Sequence, residues 1–208
     1  MKLSSTSFAD GGRIPAEFAF GKIDPKTHVA HSNNRSPQLT WANVPVGTRS
    51  FAIVCCDGDV PSQGDDVNQE GREVPATLPR VPFYHWVLVD LPTKVTSLAA
   101  GEFSDGVTPR GKPGPAAKYG ARQGINDYTS WFDGDPDMSG DYHGYDGPCP
   151  PWNDSIVHHY VFTVYAIDVD RVPLMGTFGG ADALKVIGRH ALGQASVTGI
   201  YTLNPKLA

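Results

Sequence analysis

Residues 50–61 read SFAIVCCDGDVP, an apolar run that ends in two carboxylates. A period of two over Ser50–Cys56 places Phe51 and Cys55 on one face of a strand and carries Asp57 to that face. Burying a carboxylate is unfavourable unless it is hydrogen-bonded or paired with a cation. The stretch therefore predicts a core β-strand whose end enters a polar site.

Two further segments show the same conflict between polar residues and apolar strands. Residues 83–91 read FYHWVLVDL, a predicted strand with His85 inside it. The apolar run 156–167 carries His158 and Tyr160 on one face, and it follows the turn GPCPP at residues 147–151. Functional sites are where such local rules tend to be broken, so the three segments together predict one shared polar pocket. Alternation on the second strand predicts one common face for Phe83, His85, Val87, Val89 and Leu91.

Composition narrows the class of protein. The chain has 208 residues, which suits a single domain over residues 1–208. It carries 17 Lys and Arg against 22 Asp and Glu, a net charge of −5, without a basic stripe that would bind nucleic acid. No run approaches the roughly 18 apolar residues of a membrane span. The odd set of thiols, Cys55, Cys56 and Cys149, favours reduced cysteines and a cytoplasmic location.

The remaining sequence predicts short elements and long connections. Residues 62–82 are polar and contain three prolines, which predicts a functional or mobile loop. Residues 101–151 are rich in Gly, Pro, Asp and aromatic residues and predict ordered irregular structure. Residues 181–192 have helical spacing with Gly193 as a cap, and residues 196–203 predict a closing strand.

The polar residues predict binding of an anion. A charged histidine, the Tyr160 hydroxyl and free N–H groups of the turn at Gly147 would together hold one. We expect Asp57 to hold the imidazole of His85 and to favour its cationic form. An anion such as phosphate, sulfate or a short carboxylate should then lie within reach of His85, Tyr160 and the turn.

Three other interpretations stay open. Each histidine could be a hydrogen-bonded core residue. A metal could be held by two histidines and a carboxylate drawn from His85, His158, His159, Asp57 and Asp59, although neighbouring strand residues point to opposite faces. A hydrolase could use His85 and Asp57, with Cys149 or a metal in the same pocket. The Asp-rich residues 133–141 match a calcium loop poorly and favour a turn held by side-chain hydrogen bonds.

The three segments, in this order, resemble the phosphatidylethanolamine-binding protein family, also called the Raf kinase inhibitor protein family. Residues 57–61 (DGDVP) are similar to its Asp-Pro-Asp-Ala-Pro segment, and residues 84–87 (YHWV) to its His-Trp-Val strand. Residues 147–151 and 158–162 (HHYVF) resemble its Gly-x-Pro-Pro turn and His-Arg-Tyr strand, with His159 in place of Arg. SPQLTW at 36–41, GINDY at 124–128 and GRHAL at 188–192 extend the resemblance along the chain, closest to the bacterial branch.

The resemblance implies a mainly β fold, with antiparallel sheets packed as a β-sandwich and a few short helices. It also implies a small cavity that accepts phosphate-like anions and phospholipid head groups, with no assigned reaction, catalytic residue, metal or cofactor. Family members bind ligands or modulate kinases and proteases, so loop 62–82 is a candidate protein-docking segment. Bacterial members often dimerise, so the resemblance also implies a possible homodimer. The residues that the resemblance assigns to the cavity are Asp57, Asp59, His85, Gly147, Pro148, His158 and Tyr160.

Overall fold

Antiparallel strands and two short α-helices make up the computed structural model, which describes all 208 residues. Two 3₁₀ helices lie at Ala16–Phe18 and Lys118–Gly120, and the α-helices are α1 (Tyr128–Trp131) and α2 (Gly180–His190). The strands are β1 (Lys2–Ser4), β2 (Gly21–Asp24), β3 (His28–His31), β4 (Leu39–Ala42), β5 (Ser50–Pro61), β6 (Arg80–Pro92), β7 (Ser97–Leu98), β8 (Arg122–Gln123), β9 (His158–Ile167) and β10 (Ala191–Tyr201).

The strands form a five-stranded sheet in the order β10-β9-β5-β6-β8, a three-stranded sheet in the order β1-β4-β7, and the hairpin β2-β3. One face of the large sheet packs against the small sheet, through contacts of Phe51 with Trp41 of β4. The opposite face packs against α2, where Val54 shares a cluster with Ile187. The predicted fold class, packed antiparallel sheets with a few short helices, is confirmed.

Strand β5 confirms the predicted alternation. Phe51, Ile53 and Cys55 are buried in the core between the two sheets, and Asp57 follows them into the interior with 1% of its surface exposed. Strand β9 alternates in the same way, so His158 and Tyr160 share the face of Phe162. This regular register brings Asp57 directly opposite Tyr160.

The prediction of one common face for residues 83–91 of β6 was wrong. Val87 and Val89 lie on the α2 face, whereas Leu91 lies in the core between the sheets. Two bulges explain the difference, because each inserts an extra residue into β6 and reverses the alternation. One bulge lies where Cys55 pairs with Trp86 and Cys56 with Tyr84, which leaves His85 as the extra residue.

The C-terminal helix and strand meet without a loop. The helix predicted over 181–192 spans Gly180–His190, and the strand predicted to start at residue 196 starts at Ala191. Gly193 is therefore not a cap: it lies in β10 beside a bulge in the pairing with β9. The helix ends where Ala191 begins to pair with Ile167 of β9. Helical periodicity in the sequence does not indicate this pairing. With 11 residues, α2 is the longest helix, and no helix of the chain is long and apolar enough to cross a membrane.

Candidate functional site

Strands β5, β6 and β9 bring four of the predicted residues together. The His85 and Tyr160 rings meet edge to face with their centres 5.1 Å apart. Asp57 pairs in register with Tyr160, and its Oδ2 atom is 2.7 Å from Nδ1 of His158. All four residues have 3% or less of their surface exposed, so the three segments do form one buried polar cluster.

A cavity of about 360 Å³ lies beside this cluster. His85 and His158 line it directly, whereas Asp57 and Tyr160 lie behind that lining. Asp59, Gly147 and Pro148 do not line it either, although the turn contributes its later residues 149–151. Loop residues 62–64, 67 and 68 also line the cavity. Aromatic side chains make up much of the remaining surface: Phe20, Phe83, Tyr128, Trp131 and Phe132.

The protein holds the His85 ring through one nitrogen and leaves the other without a hydrogen bond. Its Nδ1–H donates to the Asp146 carbonyl oxygen over 2.8 Å, so Nε2 is the nitrogen left without a partner in the chain. Burial lowers the pKa of His85 below its ordinary 6.5, although the charge of Asp57 and the Asp146 carbonyl act in the opposite direction. The free protein therefore presents a neutral imidazole to the cavity at neutral pH.

Asp57 does not hold His85, and that prediction was wrong. Its carboxylate accepts the Nδ1–H of His158 and the backbone N–H of Asp59, at 2.7 and 2.8 Å. The error has a geometric cause. The bulge in β6 turns His85 toward Asp146, whereas the regular face of β9 carries His158 to Asp57.

His158 lies at the centre of a buried charge network. Its second nitrogen, Nε2, donates to Asp154 over 3.0 Å, and Arg80 binds the Asp154 carboxylate with both terminal nitrogens, at 2.6 and 3.0 Å. Burial acts to lower the pKa of His158, but hydrogen bonds to Asp154 and Asp57 outweigh it and raise that pKa to about 9. Burial likewise opposes ionisation of Asp154, yet its bonds to His158 and Arg80 lower its pKa. The network consists of two carboxylates and two cations.

Both nitrogens of His158 are thus protonated and occupied, which leaves neither free to ligate a metal. His159, its neighbour, points to the opposite face as strand geometry predicts, with 58% of its side chain exposed. It bonds to Asp59 over 2.8 Å, so Asp59 belongs to that outer pair and not to the cavity. The five residues considered for a metal site therefore divide into separate groups.

Asp146 was missed by the sequence analysis. Its carboxylate is fully buried and accepts three side-chain bonds, from Asn34 at 2.7 Å, Lys112 at 2.6 Å and Asn126 at 2.8 Å. Because its carbonyl fixes the ring of His85, this cluster orients the imidazole. An aspartate directly before GPCPP was the available signal. Asp154 and Arg80 were missed as well, and the i, i+4 spacing of Asp154 and His158 was their only local signal.

The turn at Gly147 fixes the site without offering the predicted N–H groups. The Gly147 N–H donates to Asn34, and its carbonyl accepts the Tyr128 hydroxyl. A side chain at Gly147 would meet the Phe18 carbonyl at 2.2 Å, so this position requires glycine. Prolines have no N–H, which leaves the amide of Cys149 as the one backbone donor of residues 147–151 that forms no bond within the chain.

The thiol of Cys149 is protonated. Burial raises its pKa to about 12, far from the range in which a thiolate forms at neutral pH. The thiol also lies against the backbone of Gly21, where an added Cβ would meet the sulfur at 2.5 Å. A half-buried thiol that keeps its proton at neutral pH is not an activated nucleophile.

The loop predicted over residues 62–82 ends before Arg80, where β6 already begins, and the side chain of the buried Asn153 ties it down. The Nδ2 of Asn153 donates to the carbonyls of Asp66, Gln69 and Arg72, and its Oδ1 accepts the Asn68 N–H. These bonds hold the loop as a wall of the cavity. The turn within 133–141 is held as predicted, because Oδ1 of Asp135 accepts the N–H groups of the residues at 137 and 138.

Comparison with known proteins gives consistent matches over the chain. The family model described as phosphatidylethanolamine-binding protein matches residues 4–202. The UPF0098 protein YbhB of Escherichia coli is 29% identical over 202 residues, 97% of this chain and all of that protein. A UPF0098 protein of Methanothermobacter thermautotrophicus is 30% identical over 97% of this chain and 98% of its own. The crystal structure of Escherichia coli YbcL, described as a new member of the mammalian PEBP family, superimposes with a TM-score of 0.68 at 26% identity, covering 97% of both chains.

Proposed function

Since this chain belongs to the phosphatidylethanolamine-binding protein family, we propose that its cavity binds a small anionic group, such as that of a phospholipid head group, at His85. The single observation that carries the proposal is the free Nε2 of His85 at the wall of a 360 Å³ cavity. An imidazole fixed through its other nitrogen can take up a proton and donate it to a bound anion. Cys149, whose N–H forms no bond within the chain, also lines this cavity and supplies a candidate second donor.

Tyr160 supports the site from behind. Burial raises its pKa well above the ordinary value, so the phenol keeps its proton beside the His85 ring. Edge-to-face aromatic contacts with Tyr160 and Tyr128 hold that ring, with centres 5.1 and 5.6 Å away. A ring fixed on two sides loses little freedom when a ligand binds, which favours affinity.

No observation favours the hydrolase alternative. Asp57 is bonded to His158 and not to His85, and the half-buried thiol of Cys149 is protonated at neutral pH. A role of loop 62–82 in docking a kinase or protease, a homodimer and a cytoplasmic location remain predictions beside the proposed binding.

Replacing His85 tests the site. We expect His85→Ala to weaken binding of benzenesulfonate at pH 5.5 by at least about tenfold, because one hydrogen bond to a charged group contributes roughly 1.5–3 kcal/mol. Isothermal calorimetry gives the affinity, and a thermal melt verifies that the variant is folded. The matched control is His31→Ala, at the exposed rim of the same cavity, which should change the affinity much less. Equal effects of the two substitutions would contradict the proposal.

The affinity should also depend on pH with a defined sign. Binding of an anion favours the protonated imidazole, so it raises the pKa of His85 above the value in the free protein. Affinity is then highest below the free-protein pKa, falls about tenfold for each unit by which the two pKa values differ, and levels off above the bound value. Because burial holds the free pKa below 6.5, the fall should begin below pH 6.5.

Benzenesulfonate is a suitable probe for this titration because it keeps one negative charge throughout. Calorimetry between pH 5 and pH 8.5 gives the profile, and His85→Ala should flatten it. A wild-type affinity that is flat over this range would show that neutral donors hold the anion and that His85 takes up no proton on binding.

A further inference from the structure

The buried charges around the cavity balance one another. Three aspartates, each with 1% or less of its surface exposed, lie behind the two histidines that line the inner end of the cavity: Asp57 and Asp154 bond to His158, and the Asp146 carbonyl bonds to His85. Three cations pair with them: His158 bridges Asp57 and Asp154, Arg80 binds Asp154, and Lys112 binds Asp146. No lysine or arginine lines the cavity itself. The inner end therefore has no surplus positive charge for a ligand.

One ionisable group remains unpaired at that end, the Nε2 of His85. It can add one positive charge and no more. His31 also lines the cavity, but it lies exposed at the mouth, where water and salt screen its interactions. A ligand with one negative charge would be matched by His85, whereas a second negative charge would be desolvated against the buried carboxylates without a partner.

The walls indicate what the charge is attached to. A volume of about 360 Å³ falls within the range of pockets that hold small organic molecules and exceeds what an inorganic anion fills. Phe83 lies 4.9 Å from the His85 ring, and Phe20, Tyr128 and Phe132 stack in a continuous series, with centres 4.7 and 5.6 Å apart. Trp131 continues this surface to the rim with 53% exposure. Such a surface packs against an aromatic or otherwise apolar body.

Building on the proposed function, we propose that the ligand is a monoanion, a carboxylate or a phosphodiester, attached to an aromatic or similarly apolar body. The site selects against phosphate monoesters, which carry a second negative charge at neutral pH. The apolar body lies against the aromatic wall, and the single negative charge meets Nε2 of His85 and the Cys149 N–H.

Two aryl phosphates that differ by one charge test this selection. Phenyl phosphate is a dianion at pH 8, whereas methyl phenyl phosphate is a monoanion at every pH used. At pH 8 we expect the diester to bind at least tenfold more tightly than the monoester in calorimetry. Between pH 8 and pH 5.5 the monoester should gain more affinity than the diester, because it takes up its own proton near pH 6. The diester thus controls for protonation of His85.

Phenylacetate and acetate complete the set of probes. Binding of phenylacetate without the diester identifies the carboxylate as the source of the charge, and the reverse result identifies the phosphodiester. Phe83→Ala should weaken the binding of phenylacetate more than the binding of acetate, because only phenylacetate has a ring that contacts Phe83. If phenyl phosphate binds at pH 8 as tightly as the diester, the selection for a monoanion is overturned while anion binding stands. If no probe binds between pH 5.5 and pH 8, the proposed function is overturned as well.

Discussion

His158→Leu should lower the free energy of unfolding by about 3–5 kcal/mol, the range expected when one partner of a buried ion pair is removed. His158 is fully buried and donates to Asp57 and Asp154 at the same time. Leucine fills much of the volume but leaves two carboxylates in the core with one cation fewer. Urea denaturation followed by circular dichroism measures the change.

The neighbouring residue provides a matched control. His159→Leu is the same substitution one position along β9, on the face where 58% of the side chain is exposed. It removes a surface pair with Asp59 and should change stability by less than about 1 kcal/mol. Adding Asp57→Asn to His158→Leu should recover part of the loss, because it removes one of the unpaired charges. Similar losses for the two leucine variants would show that the buried network does not stabilise the fold.

The strands that carry the site were predictable, and their partners were not. Period-two alternation places Asp57, His158 and Tyr160 on the inner faces of β5 and β9, and the structure has them there. That pattern depends only on the local chain. It holds wherever a strand runs without interruption, so the order of residues alone is enough to identify three of the buried polar side chains.

The bulge at His85 shows what local pattern cannot supply. A bulge is a property of two paired strands, and the sequence of β6 alone does not record it. With that extra residue, His85 turns to the carbonyl of Asp146, a residue 61 positions away. Arg80 and Asp154 are 74 positions apart and meet for the same reason, through the register of the sheet and the path of a loop. The sequence therefore identifies individual candidate site residues. It does not identify the hydrogen-bond partners that determine their charge.

This pairing separates two roles that the sequence analysis combined. His158 was grouped with His85 as a ligand-binding residue, yet its two nitrogens are bonded to carboxylates. Its positive charge neutralises the protein's own acids. His85 has a free nitrogen and a lowered pKa, so its charge can respond to a ligand. Buried charge that is already paired stabilises the strand ends, and the one unpaired imidazole remains for binding.

The stability of the protein should fall as pH rises above about 6.5. In the folded protein the pKa of His158 is about 9, against 6.5 for a free histidine, so folding favours its proton. A group with a raised pKa contributes its full stabilisation below the unfolded value and loses it as pH rises toward the folded value. Each unit corresponds to about 1.4 kcal/mol, so the free energy of unfolding should drop by about 2–3 kcal/mol between pH 6.5 and pH 8.5.

His158→Leu separates the contribution of His158 from that of the thiols. An unfolded thiol ionises at about pH 8.5, whereas burial raises the pKa of Cys56 and Cys149 in the folded protein to about 11 and 12, so the thiols add a further loss of stability above about pH 8. His85 affects stability only at lower pH, because a histidine whose pKa is lowered by folding reduces the stability of the protein as pH falls below 6.5. Urea midpoints at half-unit steps would trace the curve. The His158→Leu curve should be nearly flat up to about pH 8 and should keep only the loss that comes from the thiols above that pH. A wild-type curve that is level from pH 6.5 to 8.5 would mean that His158 is not held as a cation between Asp57 and Asp154.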